Sequence, residues 1–180
     1  MYSNNLIVIE NKQIKNFRLD DKTKWVIGRS GKENVPDIVL FLPTISREHG
    51  VFNNMDGTWF YTDNNSKNGT FLNGKCIKSE NSRRKKPVML KDGDVLVFGS
   101  GDKARVCTGT VWAMFITENI TGAWHEIDTE DCESLVVSDA VNTLVYREPQ
   151  RGTAYRLPEG IAIYMGDRTY SIGQIKVTTG

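Results

Sequence analysis

Between residues 6 and 116, short apolar runs alternate with polar, turn-forming clusters at intervals of about 8 to 12 residues. The runs fall at 6–10, 17–19, 24–27, 38–40, 50–53, 58–62, 70–72, 88–90, 95–98 and 111–116. Each has the length of a strand, several alternate apolar with polar positions, and no stretch reads as a helix of convincing length. The pattern predicts an all-β sandwich. Asn54-Met55-Asp56-Gly57 contains the Asp-Gly pair of a tight hairpin, and Lys91-Asp92-Gly93-Asp94 reads as a second turn.

After Ile116 the chemistry changes. Residues 118–139 hold Glu118, Glu126, Asp128, Glu130, Asp131, Glu133 and Asp139, with no Lys or Arg. The net charge of +1 therefore hides an asymmetry: about +6 over 1–117 and −5 over 118–180. Further short β-like runs follow at 134–137, 143–147, 153–156, 161–164, 169–172 and 175–177. We expect two units, 1–117 and a small β-rich unit, 118–180. The aromatic residues of the second should dock on the first, because about 60 residues bury only a marginal core alone.

Charge and composition narrow the function classes. A near-neutral chain lacks the clearly basic balance of a nucleic-acid-binding domain, so nucleic acid is not an expected partner. Cys76, Cys107 and Cys132 are far apart and in no metal-ligand spacing; they read as reduced and structural, and no metal or cofactor is expected. No apolar run reaches the ~18 residues of a spanning helix, and residues 1–5 lack the features of a signal peptide. No membrane association and a cytoplasmic location are the expectations.

Within the strand pattern one stretch stands apart. TDNNSKNGTFLNG, residues 62–74, strings together Asn64, Asn65, Ser66, Lys67, Asn68 and Gly69, residues that favour turns and disfavour both helix and strand. Apolar strand-like segments flank it, so it is a polar loop held by a rigid scaffold. Two more loop-side pieces join it: Gly28-Arg29 at the end of one strand and Ser46-Arg47-Glu48-His49 before another. A guanidinium, hydroxyls and loop backbone N–H groups are what a phosphate asks for, with its nearly two negative charges and three acceptor oxygens. Arg suits it better than Lys because its planar fork matches the oxygens.

Taken together and in this order, GRSGKENVPDIVLFLPTISREHG, DNNSKNGTFLNG and LKDGDVLVFG resemble the forkhead-associated (FHA) domain, across roughly residues 6–117. The resemblance implies an FHA-type antiparallel β-sandwich with a C-terminal β-rich extension, and a phosphothreonine-peptide-binding module serving as an adaptor in Ser/Thr kinase signalling. The implied partner is a phosphothreonine-containing protein, such as a kinase or its substrate. Arg29 and Ser46 would contact the phosphate, Lys67 would add a donor, Arg47 a second cation, and Asn68 would hold the ligand backbone. Gly28, Ser66, Gly69 and Thr70 would shape the loops. His49 would brace them by hydrogen bonds; a Ser46/His49/Asp63 triad can be drawn on paper, but no oxyanion hole or cleft is signalled, and no catalytic residue is expected.

The other reading is an assembly protein that uses the same fold to bind an unphosphorylated surface. Two features depart from the family pattern: a long first loop over 31–36, and the basic insertion KSENSRRKKP, residues 78–87. The insertion reads as a solvated loop, a patch for an acidic partner or nucleic acid, or a rim attracting acidic phosphopeptides. Thr129, in EIDTEDCE, suits an acid-directed kinase and is a candidate ligand for Arg29 and Ser46 of its own or a neighbouring chain; the plainer reading is a polar residue in a solvated turn.

Overall fold

The computed structural model describes residues 3–10, 13–77, 85–99, 105–106, 111–117, 119–120, 124–126, 135–138, 143–148, 153–158, 162–165 and 168–171. Strands in chain order are β1 (Asn5–Glu10), β2 (Gln13–Arg18), β3 (Lys24–Arg29), β4 (Ile38–Leu40), β5 (Gly50–Met55), β6 (Thr58–Asp63), β7 (Thr70–Leu72), β8 (Lys75–Cys76), β9 (Val88–Met89), β10 (Asp94–Phe98), β11 (Arg105–Val106) and β12 (Val111–Ile116). They continue as β13 (Asn119–Ile120), β14 (Trp124–Glu126), β15 (Leu135–Ser138), β16 (Thr143–Arg147), β17 (Ala154–Arg156), β18 (Ala162–Met165) and β19 (Arg168–Ser171). A 3-10 turn, Leu19–Asp21, follows β2 where a strand end is expected. The expected strand at 175–177, Thr129 and residues 78–84 of the basic insertion lie outside the described residues.

Two sheets face one another. One has six strands in the order β2-β1-β12-β10-β7-β8, the other five in the order β4-β3-β5-β6-β9. Pairing within them is antiparallel except for β3 with β4, which run parallel through Ile27↔Ile38, Gly28↔Val39 and Arg29↔Leu40. The expected antiparallel sandwich is thus mixed at one edge, because residues 30–37 carry the chain back before β4 begins. The turn joining β5 to β6 has φ of 51° at Asp56 and 84° at Gly57, the paired positive angles that make Asp-Gly a hairpin signal.

The space between the sheets is filled by inward residues of both, among them Leu6, Phe98 and Phe115 from one and Ile27, Phe52, Trp59 and Tyr61 from the other. A side chain of this size contributes roughly 1.5–3 kcal/mol when fully buried. In β6 the alternation is visible residue by residue: Trp59, Tyr61 and Asp63 are buried while Thr58, Phe60 and Thr62 are half-buried. By contrast β1 and β12 are buried at every position. Their second face carries Ile7, Ile9, Trp112, Met114 and Ile116, which pack with Val97 and with Tyr146, Tyr155 and Leu157 of the C-terminal segment.

That segment forms a five-stranded sheet, β13-β17-β16-β15-β14, and its β18 and β19 join β11, from before β12, in a three-stranded one, β11-β18-β19, in which β11 pairs parallel with β18. Tyr146 and Tyr155 stack with ring centroids 6.4 Å apart. No helix of the described residues is long and apolar enough to cross a membrane.

Candidate functional site

Three loops converge at one end of the sandwich: residues 30–37 after β3, 41–49 after β4, and 64–69 between β6 and β7. Backbone and side-chain hydrogen bonds join them. The Arg29 N–H donates to the Ser46 carbonyl at 3.0 Å and its Nε donates to the Ile45 carbonyl at 3.1 Å. Across the gap the Lys67 N–H donates to Ser46 Oγ at 3.0 Å, and Asn68 Nδ2 donates to the Thr44 carbonyl at 2.7 Å. Arg29, Ser46 and the adjacent pair Lys67-Asn68, widely separated in the chain, are therefore neighbours.

What those bonds leave over decides what the site does. Arg29 is braced through Nε, which leaves the two terminal amino groups of its fork for a ligand. Ser46 Oγ accepts from Lys67, which leaves its O–H as a donor. Asn68 is held through its amide nitrogen, leaving Oδ1 to accept from a ligand backbone N–H. Lys67 is exposed. Arg47 is exposed too, and its side chain lies over Gly31 in the first loop, lining with Lys32, Glu33 and Asn34 a cleft of about 410 Å³. Among the described residues no group of His, Cys, Asp and Glu could hold a metal ion.

His49 is fully buried and is bonded to β3 and to the surrounding loops. Its N–H donates to the Ile27 carbonyl, and its carbonyl accepts from the Asn64 N–H. The ring Nδ1 accepts from the Ser46 N–H at 3.2 Å, so the ring proton sits on Nε2, which donates to the Gly69 carbonyl at 3.0 Å. The ring stands edge-on to Phe98 with centroids 5.3 Å apart. Asp63 lies 3.8 Å from Nε2, beyond a hydrogen bond, and no hydroxyl contacts the ring in these bonds. The geometry is that of a brace.

Beneath the 64–69 loop is a buried polar hub that sequence reasoning missed. Asp63 Oδ1 accepts from the Ser66 N–H at 2.8 Å; its Oδ2 accepts from Ser66 Oγ and from Thr70 Oγ1, both at 2.7 Å. Thr70 in turn accepts from the Tyr61 hydroxyl at 2.9 Å. Burial, then the charge of Asp63, hold the Tyr61 hydroxyl well above its ordinary pKa, against the lowering effect of its bond to Thr70; it stays a donor. Ser66 and Thr70 thus fix the loop from below. Two glycines are required here: Gly69 has φ of 80°, and a Cβ at Gly28 would collide with the Arg47 carbonyl.

This arrangement can be set beside known proteins. Residues 25–99 match the model of the FHA domain, from Trp25 through all three loops to Gly99. The chain carries an FHA domain. Over 76 residues it is 38% identical to the E3 ubiquitin-protein ligase DMA1 of Saccharomyces cerevisiae, a stretch covering 39% of this chain and 18% of that protein, so the chain spans under a fifth of its length. The yeast Pml1 splicing factor shares the fold with a TM-score of 0.51 and 23% identity, covering 65% of this chain and 80% of that one. The FHA domain of the CT664 protein from Chlamydia trachomatis is similar with a TM-score of 0.47 and 24% identity, over 63% of this chain and 96% of that one. FHA domains are phosphothreonine-binding modules that belong with the phospho-motif readers relying on Arg.

Proposed function

We propose that this protein binds phosphothreonine-containing proteins through Arg29, Ser46, Lys67 and Asn68, as a non-enzymatic adaptor in Ser/Thr kinase signalling. The observation that carries the reading is the division of labour at the site. Each of Arg29, Ser46 and Asn68 spends one polar group on joining the loops and keeps another that these bonds do not use. A surface evolved only for assembly has no use for that combination. The kinase, or the kinase substrate, that supplies the ligand is the partner we assign. Residues 118–180 form the second unit of the proposal.

The test is titration with a phosphothreonine peptide library beside unphosphorylated controls. Arg29→Ala removes a charge-assisted contact and is expected to weaken binding by about 1.5–3 kcal/mol, roughly 10- to 150-fold. Asp or Glu in place of phosphothreonine is expected to fail, having about one charge and two oxygens against nearly two and three. Affinity unchanged in both Arg29→Ala and Ser46→Ala, or equal affinity for the unphosphorylated controls, would overturn the reading in favour of assembly through an unphosphorylated surface.

A further inference from the structure

We infer that Lys85 and Lys86 extend the phosphate site into a second anion-reading position, so that the preferred ligand carries acidic or phosphorylated residues beside its phosphothreonine. The inference rests on the reading above and adds the chemistry of the partner. It starts from strand register. β9 pairs antiparallel with β6 through Tyr61↔Val88 and Phe60↔Met89. Continued outward by three residues, that register sets Lys85 opposite Asn64, and Lys85 Nζ does donate to Asn64 Oδ1 at 3.1 Å. Asn64 opens the loop that carries Lys67 and Asn68.

The other end of the insertion returns to the same loop. β8 pairs with β7, and the Ile77 N–H donates to the Thr70 carbonyl at 2.9 Å, directly after Gly69. The insertion therefore leaves the sandwich at Thr70 and rejoins it at Asn64, the two ends of the 64–69 loop. Lys85 and Lys86 are exposed, as is Lys67 between the anchors. On the opposite flank the charges are balanced: Lys32 with Glu33, and Arg47 with Glu48, whose carboxylate accepts from Asn34 Nδ2. Among the described residues flanking the phosphate site, the unbalanced positive charge is that of Lys67, Lys85 and Lys86.

An ammonium is a point charge with three rotatable donors, suited to reading the presence of negative charge without demanding its geometry. The expected readout is therefore a graded preference. Three peptides test it against the full-length protein: a phosphothreonine peptide with neutral flanks, the same peptide with two aspartates on each side, and the unphosphorylated acidic peptide. The acidic phosphopeptide is expected to bind about fivefold more tightly than the neutral one at low salt, two exposed ion pairs being involved. Raising the salt to about 1 M, where the screening length is near 3 Å, should erase the difference.

Lys85→Ala with Lys86→Ala should remove the preference and leave affinity for the neutral phosphopeptide unchanged, which also shows that the variant is folded. Equal binding of neutral and acidic phosphopeptides by the parent would overturn this inference while leaving the proposed function in place. So would a preference that survives the double substitution, or capture of single-stranded RNA that depends on Lys85 and Lys86 without any acidic preference. Failure of both phosphopeptides would instead overturn the proposed function.

Discussion

The two sheets of the sandwich differ in how many of their faces are covered, and the difference divides their tasks. In the six-stranded sheet β1 and β12 are buried on both sides, by the opposite sheet on one and by Tyr146, Tyr155 and Leu157 on the other. Among the described residues, only the inner face of the five-stranded sheet is covered; outside, Phe60 is half-buried and Met55 and Met89 are exposed. The sheet with the open face is the one whose strands β3, β4, β5 and β6 run into the recognition loops. Stability is concentrated in one layer and presentation of the site in the other.

Removal of the cover is expected to have the largest effect. A chain ending at residue 117 lays bare Ile7, Ile9, Trp112, Met114 and Ile116, and loses the burial of Tyr146, Tyr155 and Leu157, worth roughly 1.5–3 kcal/mol each. Such a chain should unfold at markedly lower denaturant and bind an apolar dye. If limited proteolysis trims the C-terminal segment rapidly and leaves a core as stable as the whole, the two sheets are not distinguished in this way.

Next is a pair of truncations on the outer faces. Trp112→Ala in the doubly covered layer should cost about 3–5 kcal/mol. Phe60→Ala, on the open face, should cost less than half as much, because its ring already meets water. Equal losses in urea unfolding would break the comparison. His49→Ala falls between, at about 1–3 kcal/mol, because it strands the Ser46 N–H and the Gly69 carbonyl. A His49→Ala protein that melts like its parent but no longer binds phosphopeptide would make the residue a ligand contact and no brace.

The smallest effect concerns Glu10, at the end of β1, whose carboxylate accepts from the Phe41 and Leu42 N–H groups across the sheets. Burial raises its pKa above the ordinary carboxylate range; those two bonds and Lys15 oppose the rise without cancelling it. A raised folded-state pKa favours the protonated native state. Its contribution is complete below the unfolded value of about 4.3 and is lost as pH rises through the folded value. Glu10→Gln keeps an acceptor for both N–H groups and should flatten that part of the stability profile. Identical profiles for parent and variant between pH 4 and about 7 would refute the assignment.

Much of this was legible in the residues. The runs at 6–10, 58–62 and 111–116 read directly as strands; that the first and last are covered on both faces and the middle one on one face emerged from the structure. Turn chemistry located the hairpin at Asp56-Gly57. β8, β11 and β13 escaped notice because two residues carry no period, and the first half of β2 did because Gln13 and Lys15 face water. The neighbours at the site were visible as motifs, whereas the Asp63 hub needed register to be seen. A signal existed: Asp63 shares the inward parity of Trp59 and Tyr61, and a carboxylate on an apolar face, three residues before a serine, requires buried partners.

The anchoring of the 78–87 insertion at both ends of one loop also bears on how such a site can diversify. Its exits are held by the Ile77 to Thr70 bond and by the β6–β9 ladder, so the distance it must span is set by the sandwich. Between two fixed points, doubling the length of chain costs only ~0.6 kcal/mol of closure entropy. Residues can be added, removed or exchanged there with little thermodynamic penalty. Each change alters the charge carried between these two anchors without touching Arg29, Ser46 or Asn68, so ligand preference and fold are free to vary independently at this position.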